Sequence, residues 1–154
     1  MVKSHVFGAG LFLLAAFGLS WSLYNQYTPK PPNGRLATVE DKVVMESGTY
    51  SWERWGRSAT ANFLGDPTGV VRDNEPLIVE TTDTLEFTFD SVPASIDCYL
   101  WEMDTGEVVY SGGLNERTLQ FEQWNVSPGD YAIEVRAKWA EGYVLYHARI
   151  LVPE

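Results

Sequence analysis

The densest group of chemically capable side chains lies at 50–57, Tyr-Ser-Trp-Glu-Arg-Trp-Gly-Arg, with three aromatics and two arginines in eight residues. Trp and Arg dominate binding hot spots because one offers a wide flat face and the other a forked set of donors. Trp52, Arg54, Trp55 and Arg57 are therefore candidates for contact with a partner, by stacking on a peptide or a sugar. A structural account competes with this one. Alternation would turn Tyr50 and Trp52 into a core, leave Trp55 to cap its end, and pair the arginines with surrounding acids. A second candidate is 64–76, where Asp66, Asp73 and Glu75 could offer oxygens to a hard cation such as Ca²⁺. The spacing of an EF-hand is absent, which favours an acidic loop rich in turn formers.

Catalysis finds little support in the residue pattern. His147 is the sole histidine after position 5, and alternation along the last strand sets it opposite Tyr146 and Ala148, toward solvent. No G-x-S-x-G, H-E-x-x-H or phosphate-binding glycine loop supplies a context for it. We therefore expect a non-enzymatic protein without a cofactor. Cys98 alternates with Ile96 and Leu100 and reads as a small buried hydrophobe. As the single cysteine it excludes an internal disulfide, so a hydrophobic core must hold the domain together.

These residues must be positioned by strands, because period-two alternation runs through most of the chain. It places Leu85, Phe87 and Phe89 on one face over 84–90. Over 130–139 it places Tyr131, Ile133, Val135, Ala137 and Trp139 together, and over 143–152 Val144, Tyr146, Ala148, Ile150 and Val152. Ala140, Glu141 and Gly142 separate the last two runs, which predicts an antiparallel hairpin. Asp104-Thr105-Gly106 predicts another between 97–103 and 107–111. Further strands are expected at 37–45, 59–64, 77–81 and 118–123, and no long helix after the first 35 residues. So many short antiparallel strands predict an all-β, Ig-like or fibronectin III-like β-sandwich over 36–154, a monomeric domain. Ser127-Pro128-Gly129-Asp130-Tyr131 sharpens this, since a Tyr at that place resembles the tyrosine corner of Ig-like domains.

Ahead of the domain, after the flank 1–5, residues 6–24 carry no charge for nineteen positions. That length just reaches across a hydrocarbon core, which takes roughly twenty apolar residues. It predicts a transmembrane signal anchor, and Trp21, Tyr24 and Tyr27 stand where aromatic rings favour the membrane interface. The small residues Gly18 and Ser20 permit the other outcome, cleavage before Trp21 and secretion. With so short a basic flank before it, the anchor should leave the C-terminal domain outside the cell membrane as a single-pass protein. A linker with Pro29, Pro31 and Pro32 spans 25–35 and should be an extended stalk. Beyond it stand eight Lys and Arg against 21 Asp and Glu, a net of −13. Such a charge repels nucleic acid and anionic lipid.

Gly48-Thr49-Tyr50-Ser51-Trp52, 87–93 (Phe-Thr-Phe-Asp-Ser-Val-Pro) and Gly129-Asp130-Tyr131 with Trp139, Gly142 and Tyr146 together resemble a family of small exported or membrane-anchored Ig-like proteins of Gram-positive bacteria. Members often carry a Cys where Ser51 stands and another soon after; this chain has neither. The resemblance implies placement and fold, with no reaction and no ligand. The expected function is a membrane-anchored extracellular domain presenting an interaction surface to an unknown protein or cell-wall partner. An exported inhibitor or modulator of an extracellular hydrolase, acting through a loop at 65–75, and a cation-binding or wall-associated module are the alternatives.

Overall fold

The computed structural model describes residues 3–63, 65–114 and 116–154, with side chains from Leu13 onward. Helix α1 (Lys3–Gln26) leads into ten strands. These are β1 (Gly34–Ala37), β2 (Lys42–Arg54), β3 (Arg57–Ala61), β4 (Leu77–Ile78), β5 (Thr84–Phe89), β6 (Ser95–Glu102), β7 (Val108–Leu114), β8 (Thr118–Gln120), β9 (Gly129–Trp139) and β10 (Gly142–Val152). A short helix α2 (Pro67–Val71) follows β3, and a 3₁₀ turn (Phe121–Trp124) follows β8.

All pairings are antiparallel except that of β4 with β10, and the strands form one sheet in the order β7-β6-β9-β10-β2-β1-β5-β8. Strand β2 is the hinge of this arrangement. Its start pairs with β1, its middle with β10, and its end also with β3. Where β2 leaves β10, β4 takes its place beside Ile150 and Leu151. The sheet curls until its two ends meet: Tyr110 of β7 stacks on Trp124, just after β8, at 3.9 Å and 20°.

The alternating residues named above fill the enclosed space. Leu36, Leu85, Phe87, Leu100, Ile133, Val135, Tyr146 and Ile150 are wholly buried. Cys98 is buried too, and burial pushes its thiol far above the ordinary range. The Tyr131 hydroxyl donates to the Ser127 carbonyl at 2.8 Å, the bond that ties a tyrosine corner.

Several local expectations are revised. The predicted strand 37–45 is interrupted by the turn 38–41 between β1 and β2; its second part, from Lys42, opens β2, which continues through Trp52 to Arg54. The proline stretch is laid on the domain instead of standing free. Pro29 is buried, the Tyr146 hydroxyl donates to the Pro32 carbonyl at 2.7 Å, and the Asn33 backbone and side chain both donate to Asp90. Those bonds, the backbone one first, hold the Asp90 carboxyl below its ordinary range.

Gly142 opens β10 at φ +153°, and a Cβ there would lie 1.9 Å from the Ser51 carbonyl oxygen. The neighbour is backbone and cannot yield cheaply. Gly142→Ala should therefore cost roughly 2–4 kcal/mol, read as a lowered urea midpoint with an unchanged slope.

Candidate functional site

The sequence cluster at 50–57 divides on folding. Alternation along β2 turns Trp52 inward, where it is 4% exposed and meets Trp139 edge to face at 5.4 Å. It belongs to the core. Arg54 and Arg57 close the β2–β3 hairpin as its last pair, and Trp55-Gly56 form the two-residue turn at φ +54° and +70°. Positive φ at both central positions is the signature of a type I′ turn, whose twist suits a hairpin. Such a turn ordinarily takes Asn or Gly first; here it carries Trp, at a cost of about 1–2 kcal/mol.

This tip is held by the chain's own helix. The Tyr24 hydroxyl donates to the Trp55 carbonyl at 3.0 Å, and an Arg57 Nη donates to the Asn25 carbonyl at 2.9 Å. Tyr27 lies 4.9 Å from the Trp55 ring, and Arg57 lies over the Tyr24 ring at 5.3 Å. The last turn of α1 thus receives a donor from Arg57 at its Asn25 carbonyl and gives one, through Tyr24, to the hairpin tip. Trp55 nevertheless stays 66% exposed, with Arg54 4.9 Å from its ring centre. A groove runs from Glu53, Arg54 and Trp55 to the β9–β10 hairpin at Lys138, Glu141 and Tyr143. Nothing in the sequence pattern alone joined 24–27 to 54–57, which lie about thirty positions apart.

The loop 64–76 has another role. Asp66 caps α2, accepting from the Gly69 amide at 2.8 Å and from the Thr68 hydroxyl at 2.5 Å. The Thr68 bond, then the Gly69 bond, hold its carboxyl below the ordinary range. Val70 and Val71 pack on Met103, Ala132 and Trp101, so α2 covers the outer face of the sheet. Arg149 fastens the loop, bonding Asp130 with a guanidinium fork at 2.6 and 3.0 Å and the carbonyls of Arg72 and Asn74. Asp73 and Glu75 share no cluster with Asp66; among the described residues no group of three potential ligands is placed to hold a metal ion. Leu64 lies outside the described residues.

His147 corrects the sequence reading most sharply. It does face away from Tyr146, yet it is 4% exposed. Its Nε2 stands 3.2 Å from Glu134, itself 4% exposed. An ionised carboxylate only accepts, so Nε2 carries the proton. Arg136 donates to the other Glu134 oxygen at 2.7 Å. Burial opposes the Glu134 charge, but the bonds from His147 and Arg136 prevail and hold its carboxyl below the usual range. Gly48 makes room for the pair, since a Cβ there would lie 2.6 Å from the imidazole. Glu134 thus joins β9 to β10 through His147, while the buried Nδ1 of His147 has no hydrogen-bond partner among the described residues.

A search against known protein families, characterised proteins and solved structures finds no match.

The depressed carboxyls of Glu134, Asp66 and Asp90 fix the sign of an acid response. A group whose folded pKa lies below its unfolded value stabilises fully above the unfolded value, and loses that contribution as pH falls through the folded one. From these groups, thermal stability should be level above about pH 5.5 and fall below the ordinary Glu value of 4.5. Glu134→Gln should lower unfolding free energy by about 1–3 kcal/mol at neutral pH, and should flatten the acid limb in a melting series.

Proposed function

We propose that the chain is a non-enzymatic, single-pass membrane protein: α1 is its anchor, and an Ig-like β-sandwich is displayed outside the cell. The observation that carries this reading is the surface of α1. Leu13, Leu14, Phe17, Leu19 and Leu23 are each at least 67% exposed and point around the whole helix. Among the described residues, a helix that is apolar on all sides and meets the domain through Tyr24 and Asn25 of its last turn suits lipid, not water. Among the described residues no helix is long and apolar enough to cross a membrane. Of the predicted span 6–24 the described side chains cover 13–24, and those before Leu13 lie outside them. The whole helix, at 24 residues, is about 36 Å long, against roughly 30 Å of hydrocarbon.

The distribution of charge supports the same orientation. Strand register sets the turns at 55–56, 91–94 and 140–141 at the helix end of the domain. Lys30, Arg54, Arg57 and Lys138 lie there, beside Glu53, Asp90 and Glu141. The opposite end carries the turns 38–41, 80–83 and 104–107, with Glu40, Asp41, Glu80, Asp83, Asp104 and Glu107. An acidic end held away from the bilayer avoids repulsion by anionic headgroups and is the surface offered to a protein or cell-wall partner. The tyrosine corner and the pairing of β2 with both β1 and β10 support the Ig-like assignment, and with it kinship to the exported Gram-positive family resembled in sequence.

Protease added to intact, wall-stripped cells expressing the chain tests this reading. Full-length protein in the membrane fraction, with its domain digested from outside, is the expected result. A mass beginning near Trp21 in the medium would favour a secreted inhibitor or modulator, and a membrane-bound but protected domain would reverse the orientation.

A further inference from the structure

We propose that the Trp55 hairpin tip docks onto the phosphate headgroups of the bilayer beside α1, so that the domain rests on the membrane surface as well as being tethered to it. The inference rests on the reading of α1 as an anchor. Height is the first argument. The Tyr24 hydroxyl reaches the Trp55 carbonyl at 3.0 Å and Tyr27 lies against the Trp55 ring, so the tip is level with the last turn of the helix. Trp21 and Tyr24, 58% and 40% exposed, continue the same aromatic rim down the helix. Rings of this kind settle at the headgroup layer because one edge is apolar and the other hydrogen-bonds.

The composition of the tip is the second argument. Trp55 occupies a backbone conformation that penalises a large side chain, and the ring stays 66% exposed. Packing within the domain does not account for it. Among the described residues Arg54 makes no salt bridge, and its guanidinium lies along the Trp55 ring, at the mouth of the groove that also holds Lys138 and Tyr143. A guanidinium fork matches a phosphate, and the two cations stand beside Glu53 and Glu141 in an otherwise acidic domain. A tip within about one helical turn, roughly 5 Å, of the bilayer leaves no room for a folded partner. Lipid is the occupant that fits the space.

The experiment uses the full chain in vesicles of phosphatidylcholine brominated high on its acyl chains, mixed with phosphatidylglycerol, and reads tryptophan quenching. Trp21→Phe and Trp55→Phe should each remove a distinct part of the quenched emission. Arg54→Gln, which spares the contacts between tip and helix, should lose the Trp55 part and keep the Trp21 part. Quenching equal in wild type and Trp55→Phe, with the Trp21 part intact, overturns the docking and leaves the anchor. A chain that does not float with the vesicles overturns both. Melting temperatures of the variants within error of wild type exclude misfolding as the cause.

Discussion

One strand, β2, decides most of the structure. Its thirteen residues serve three partners in succession, β1 at Lys42–Met45, β10 from Glu46 to Trp52, and β3 at its end. A strand can change neighbours in this way only where its ladder is interrupted, and the register with β10 shifts between Val144 and Tyr146, opposite Ser47–Tyr50. Gly48 sits at that shift, where the close approach of His147 leaves no space for a side chain. The curl of the sheet, the enclosure of the core and the burial of the Glu134–His147 pair all follow from this crossing.

The same strand carries the structure from core to surface. Trp52 is buried against Trp139 while Trp55, three residues on, stands in solvent against the helix. Between them the chain passes from apolar packing to a polar clasp in which Tyr24, Asn25 and Tyr27 meet Trp55 and Arg57. A docked linker completes it, with Pro29 buried and Pro32 bonded to Tyr146. The joint between helix and domain thus has hydrogen bonds on two sides, where a Pro-rich segment by itself would have swung freely. A rigid joint fixes which loops lie beside the helix.

The strands were legible because each buries one face, and a one-residue slip would have exposed it. Both hairpins at 104–106 and 140–142 and the inward set of β6, β9 and β10 were readable for that reason. What escaped were contacts made across long separations. His147 looked solvent-facing since alternation tells the inner face from the outer but not what covers the outer one, where Glu134 bonds the imidazole and Gly48 lies against it. Asp66 looked like a possible cation ligand because a cap and a ligand share the same chemistry; a helix of five residues was too short to leave a periodic signal. In the 50–57 cluster the residue types were informative, yet their division between core and clasp depends on where a hairpin turns.

The clasp between α1 and the β2–β3 tip is the central claim, and a distance across it is the most direct measurement. Spin labels at Ser22→Cys and Ser58→Cys, both exposed positions, can be introduced beside the native Cys98, whose buried, weakly acidic thiol stays unlabelled. With the full chain in lipid nanodiscs, a single narrow distance distribution that broadens in Arg57→Ala is the predicted result. A broad distribution in the wild-type chain, unchanged by that substitution, would mean that helix and domain move independently and would contradict the account.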